Sequence, residues 1–122
     1  MEIHKKQGDQ LSLAVIYHNI ASIHRARGKY DQALEWYWKV VAIRERASDL
    51  RNLAITWQAM GNIAAAQNEL SKALDFFTRS RDMFIQIGLP NDSASVERDI
   101  EKVQTQLAAL ERSESSQDNR SK

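Results

Sequence analysis

The sequence predicts an all-α chain built as a stacked array of helix–turn–helix units, and three observations carry that expectation. The segments Tyr17–Glu45 and Trp57–Phe84 match along their length at a constant offset of 40 residues. A fixed period of about 20–50 residues marks stacked copies of one supersecondary unit. Apolar residues inside each segment recur at i, i+3, i+4 and i+7, the spacing of one helix face. Finally, one proline and four glycines in 122 residues leave few breaks in a helical chain.

The offset extends beyond those two segments. Ile3, Ile43 and Met83 share one phase, as do Gly8, Ser48 and Gly88, and Ala14, Ala54 and Ala94. Ile20 aligns with Met60 and Ile100, Ile23 with Ile63 and Val103, and Tyr30 with Leu70 and Leu110. The register does not slip, so the array is expected to contain two full units, the tail of an earlier one and the head of a later one.

Residues 1–10 form the expected tail of a preceding repeat, because Met1–Gln7 falls in phase with Val41–Ala47 and Gly8-Asp9 with the junction Ser48-Asp49. On this reading the chain begins inside a unit, and the outer face of the first full repeat is a raw edge able to self-associate. Repeat one covers 11–49. Its first helix, from about Leu11 to Arg27, carries the apolar positions Ala14, Ile16, Ile20, Ile23 and Ala26. Gly28 ends it as a left-handed C-cap residue, and Asp31 is placed to cap a second helix from about Gln32 to Ala47.

Repeat two covers 50–89. Its first helix runs to about Gln67, and Asn68 replaces glycine at the turn, the next-best residue for a left-handed backbone. Ser71 begins a helix reaching about Ile87, and Gly88-Leu89-Pro90 breaks the chain. Asn91, Asp92 or Ser93 caps the fifth helix, a capping element over 90–111. Val96, Ile100, Val103, Leu107 and Leu110 form its one apolar stripe, and the remaining faces are polar, as in a solvating array end. Residues 112–122, polar and low in complexity, are expected to be a disordered tail.

Composition narrows the function classes. A formal net charge of +1 is not the strongly basic balance of a dedicated nucleic-acid binder. Arg25, Arg27 and Lys29 cluster at one helix end and Arg44 and Arg46 at another, where they complement the helix dipole or face an acidic partner. No apolar run approaches the ~20 residues of a membrane-spanning helix, and MEIHKKQGDQ has no apolar stretch of the kind a secretory signal uses. With no cysteine there is no disulfide or thiolate chemistry, and a cytoplasmic location is the expectation.

Catalysis finds little support. His18 and His24 are six apart with no carboxylate at metal-ligand spacing. His18 and Ser22 lack an orienting acid, and no glycine-rich phosphate loop occurs. No cofactor and no metal site are expected.

The residues at fixed positions within each unit carry a family resemblance. Tyr17, Ile20 and Ala21, and then Trp57, Met60 and Gly61, supply a large residue, a large aliphatic three later and a small residue beside it. Ala33 and Ala73 follow as small residues, and Tyr37 and Phe77 as aromatics. Gly28-Lys29-Tyr30 matches a familiar Gly-x-Tyr turn. In this pattern, spanning about residues 1–110, the chain resembles the tetratricopeptide repeat family. Its period exceeds that family's usual ~34 residues, as in the arrays of kinesin light chain, of LGN/Pins scaffolds and of bacterial peptide-sensing regulators. The resemblance implies a right-handed superhelical solenoid of antiparallel helix pairs. Two departures stand out. Val40 and Ser80 occupy a small-residue position, and Arg81 a position usually aliphatic, which is expected to weaken the outer packing of repeat two.

The resemblance also implies a protein or peptide partner on the concave surface, lined by the first helix of each unit. The corresponding positions are Val15, His18, Asn19, Ser22 and Arg25 in repeat one. In repeat two they are Ile55, Gln58, Ala59, Asn62 and Ala65, and in the cap Arg98, Asp99 and Lys102. The amides of Asn19 and Asn62 can donate to and accept from a peptide main chain, or simply be solvated. His18, Ser22, Ala59, Ser95 and Asp99 do not reproduce the clamp with which one family subset grips a terminal carboxylate. Trp38 falls on the convex side where a polar residue is usual, either as a contact for another chain or packed beneath a long neighbour. The alternatives to groove binding are a structural module that self-associates, a homodimer included, through its N-terminal edge and Trp38, or an effector-sensing part of a larger transcriptional regulator.

Overall fold

The computed structural model describes the backbone of residues 2–120 and the side chains of residues 8–113. Among the described residues the chain forms α1 (Glu2–Ala26), α2 (Tyr30–Arg46), α3 (Leu50–Ala66), α4 (Leu70–Gln86) and α5 (Pro90–Arg120). Each helix packs antiparallel on the next, so the whole is an all-α solenoid of stacked helix pairs. A bond from Gln58 to Asp99 joins α3 to α5, and an edge-on contact of Trp38 with Phe76 joins α2 to α4. The odd-numbered helices therefore form one layer and the even-numbered helices the other.

All four turns have the same build. Residues 28, 48, 68 and 88 adopt positive φ, at 75° for Gly28, 58° for Ser48, 62° for Asn68 and 75° for Gly88. At each, the amide of the left-handed residue bonds three residues back and the next amide five residues back, as Gly28 N does to Arg25 O and Lys29 N to His24 O. This double bond pattern satisfies carbonyls that a helix end would otherwise leave open. Successive turns are 20 residues apart, so the 40-residue repeat consists of two helix–turn units of equal length.

Several boundaries differ from the sequence expectation. Gly8 is helical although Ser48 and Gly88, in its phase, are turned, and residues 2–10 continue α1 instead of forming the tail of another unit. With no left-handed turn at Gly8, α1 runs through it and keeps its backbone hydrogen bonds. The helices also start earlier than the side-chain caps suggested. Asp31 lies in the first turn of α2, where its charge suits the helix dipole, and it accepts a hydrogen bond from Gln67. Asp31 does not cap α2, which Lys29 precedes with no side-chain cap bond, and α4 starts at Leu70, one residue before the expected Ser71. Pro90 opens α5, since its fixed φ suits a first helical position and its missing N–H leaves nothing unpaired. At the other end α5 continues to Arg120 across most of the segment expected to be disordered, which holds neither glycine nor proline to stop it. Residues 1, 121 and 122 lie outside the described residues.

The core forms two clusters between three helices each. Ala21, Ala33, Tyr37, Val41, Leu53, Trp57, Met60 and Ile63 fill the space among α1, α2 and α3. Ala54, Ala64, Leu70, Ala73, Phe77, Phe84, Val96, Ile100 and Val103 fill the space among α3, α4 and α5. The small positions set the helix spacing: a Cβ added at Gly61 would stand 2.6 Å from the Phe77 ring. Ser80 and Arg81 do not leave the second repeat loose. Ser80 Oγ donates to the Ala54 carbonyl at 2.7 Å, and Arg81 reaches Glu97 of α5 at 3.1 Å while also bonding Asp82. The cap stripe ends earlier than expected, because Leu107 is half-buried and Leu110 is exposed beside Asn68 and Leu70.

Candidate partner-binding surface

The layer of α1, α3 and α5 carries the residues expected to meet a partner. The repeat offset places Ser22, Asn62 and Lys102 in one row across the three helices, and His18, Gln58 and Arg98 in another. Val15, Asn19, Arg25, Asn62, Arg98 and Lys102 are exposed, while His18, Ser22, Ile55, Gln58, Ala59, Ala65 and Asp99 are half-buried.

Some of these polar groups bond within the protein. Gln58 Nε2 donates to Asp99 Oδ2 at 3.1 Å, which ties α3 to the cap. The Ser22 hydroxyl lies 3.2 Å from the Tyr37 hydroxyl, a bond in which either oxygen can donate. The His18 ring meets Tyr37 edge-on, with centroids 5.3 Å apart. Among the described residues the amides of Asn19 and Asn62 make no side-chain hydrogen bond, so both can exchange bonds with a ligand main chain.

The electrostatics of the first repeat are uneven. Desolvation holds the His18 pKa below its ordinary value, and the positive charges of Arg44 and then Arg25 push it the same way. At neutral pH the imidazole is uncharged, and its buried Nδ1 has no hydrogen-bond partner among the described residues. Arg44 is buried and donates to Thr56 Oγ1 at 2.7 Å and to the Asn52 carbonyl at 3.2 Å. Burial lowers its pKa, Asp49 and Tyr37 oppose that shift, and the guanidinium stays charged.

A second surface, on the layer of α2 and α4, was only partly legible in the sequence. Trp38 is 48% exposed and packs edge-on against Trp57 and Phe76, which stack on each other. Arg79 covers the Trp57 ring at 5.1 Å. Trp38, Trp57, Arg79 and Met83 line an open groove there. The Trp38–Phe76 contact crosses two repeats, so the pattern of a single repeat does not contain it. The oddity of Trp38 at a usually polar position was the one available signal.

No three His, Cys, Asp or Glu side chains gather to hold a metal ion among the described residues. No described helix is long and apolar enough to cross a membrane. Helix pairs stacked at a fixed repeat define a helical-repeat module. A family model described as the tetratricopeptide repeat matches residues 12–86, more than half of the chain, and the chain belongs to that family. Repeats of this family are non-enzymatic modules that mediate protein–protein interaction. No curated protein matches this chain.

Proposed function

We propose that the α1/α3/α5 surface holds an extended or helical segment of a protein partner. The observation that carries this reading is the pair Asn19 and Asn62, two exposed amides on adjacent helices of one layer, unbonded by other described side chains. Val15 and Ile55 lie one helical turn from His18 and Gln58 and supply apolar area beside them. His18 and Arg25 bias the first repeat toward a ligand with carbonyl or carboxylate acceptors.

A peptide-display selection against the folded chain tests this. Peptides that bind the surface lose at least tenfold in affinity to the Asn19→Ala, Asn62→Ala double variant, whose circular dichroism and melting temperature stay unchanged. Full-strength binding by that variant would place the site elsewhere.

A further inference from the structure

The three tryptophans differ in what lies over their rings. Lys39 Nζ stands 4.4 Å from the ring centroid of half-buried Trp36, and Arg79 stands 5.1 Å from that of buried Trp57. Trp38 is the exposed one, and no lysine or arginine among the described residues lies over it. Its ring neighbours are Trp57 and Phe76, met edge-on with centroids 5.6 and 5.9 Å away. The groove beside it has a volume of about 500 Å³ and draws its lining from α2, α3 and α4.

The chemistry of this groove is particular to its joint. Val41 and Trp57 line it, and in their phases one repeat later stand Arg81 and Glu97, which bond each other at 3.1 Å. Where the later joint has an ion pair, the groove has the apolar surface of Val41, Leu53 and Met83. Two carboxylates border that surface, Glu45 from α2 and Asp82 from α4. Asp82 already accepts from Arg81. Glu45 is exposed and makes no ion pair among the described residues, and its phase one repeat later holds Ile85. Arg79, the cation of the lining, is held by Asp75 at 3.4 Å and by the Trp57 ring. The charge left over is negative, beside an indole that no cation covers.

We propose that this groove binds an arginine side chain presented by a segment of a partner protein in which apolar residues flank the arginine. An indole face attracts a cation through its quadrupole, and Arg79 on Trp57 shows the aromatic cluster accepting a guanidinium. Arginine suits the site better than lysine, because its planar fork stacks on a ring and matches a carboxylate. Glu45 lies two helical turns from Trp38 on the same face of α2, about 10 Å along the axis, a gap that the two side chains and an arginine span together. The arginine stem and the flanking apolar residues cover Val41, Leu53 and Met83, as long basic side chains do with their methylenes. An acidic occupant would meet the uncompensated charge of Glu45, and a purely apolar one would strip water from that carboxylate without replacing it. The groove belongs to the α2/α4 layer and is separate from the α1/α3/α5 surface.

A capped peptide with a single arginine between leucines is the probe, titrated into the isotope-labelled chain while the indole N–H resonances are followed by NMR. The expected result is saturable shifts of the Trp38 and Trp57 indoles, with Trp36 unmoved as the internal control. Citrulline in place of the peptide's arginine, which removes the charge and keeps the shape, weakens binding at least tenfold. Glu45→Lys in the chain does the same, and because Glu45 is exposed that variant keeps its helical spectrum. The proposal is overturned by an absence of shifts at millimolar peptide, or by shifts centred on Trp36. Equal binding of the citrulline peptide, or full-strength binding to the Glu45→Lys chain, overturns it too, since the groove would then take apolar groups without regard to charge. A chain that sediments as a dimer until Glu45→Lys breaks it would make a second copy the occupant and also sink the proposal.

Discussion

Arg44 donates a 2.7 Å hydrogen bond from Nη1 to Thr56 Oγ1, and one repeat later Phe84 and Val96 stand in the same two phases as an apolar pair. The two joints solve one packing problem by different chemistry. Thr56→Val leaves the buried guanidinium with only the Asn52 carbonyl and costs about 1–3 kcal/mol, the usual penalty for stranding a buried polar group. The double variant Arg44→Phe, Thr56→Val rebuilds the α4–α5 pair. In urea denaturation it loses at least ~1 kcal/mol less than the two single losses added together. Strict additivity would show that the pair is not coupled.

Gly61→Ala sets two effects against each other. Alanine is about 1 kcal/mol better than glycine inside a helix, but its methyl would meet the buried Phe77 ring at 2.6 Å. Overpacking a filled core costs about 1–3 kcal/mol, and the ring has little room to retreat. A net loss of about 1 kcal/mol in chemical denaturation is expected. A gain would mean that Phe77 moves freely.

The turns can be improved at one position and damaged at another. Ser48 holds φ at 58° without being glycine, a conformation that costs an L-residue about 1–2 kcal/mol. Ser48→Gly therefore raises stability by about 1 kcal/mol, and Gly28→Ala, at φ 75°, lowers it by a similar amount. Thermal melts of the two variants should shift in opposite directions. A shared sign would contradict the strain assigned to residue 48.

His18 makes stability depend on pH. Its folded pKa lies below the 6.5 of a free histidine, first through desolvation and then through Arg44 and Arg25. Between the folded value and 6.5 the unfolded chain binds more protons, so stability falls as pH drops through that window. It levels off below the folded value. Denaturation at a series of pH values between 7.5 and 5 should show this slope, and His18→Gln should flatten it. An unchanged slope in the variant would assign the effect to other groups.

The sequence exposed the periodic features because each depends on one residue type at a fixed phase. Gly28, Asn68 and Gly88 mark turns through backbone preference, and Ala33, Ala73, Tyr37 and Phe77 mark the packed faces through size. Single-position cues proved weaker. Asp31 looks like a cap and is not one, because α2 already starts at Tyr30 and places Asp31 inside its first turn. Gly8 looks like a turn and is helical, since glycine permits a left-handed backbone without requiring one.

By itself, then, the sequence determined the repeat, its 40-residue period, the helical class and the polar finish of α5, all of which follow from local periodicity. Tertiary structure decided what sits across a helix boundary. It bonded Gln58 to Asp99, gathered Trp38, Trp57 and Phe76 into one aromatic cluster, and left Ile16 and Ile23 in water. Burial is a property of neighbours: Ile23 and Ile63 share one phase and one side chain, and only the presence of α2 against the second makes their environments different.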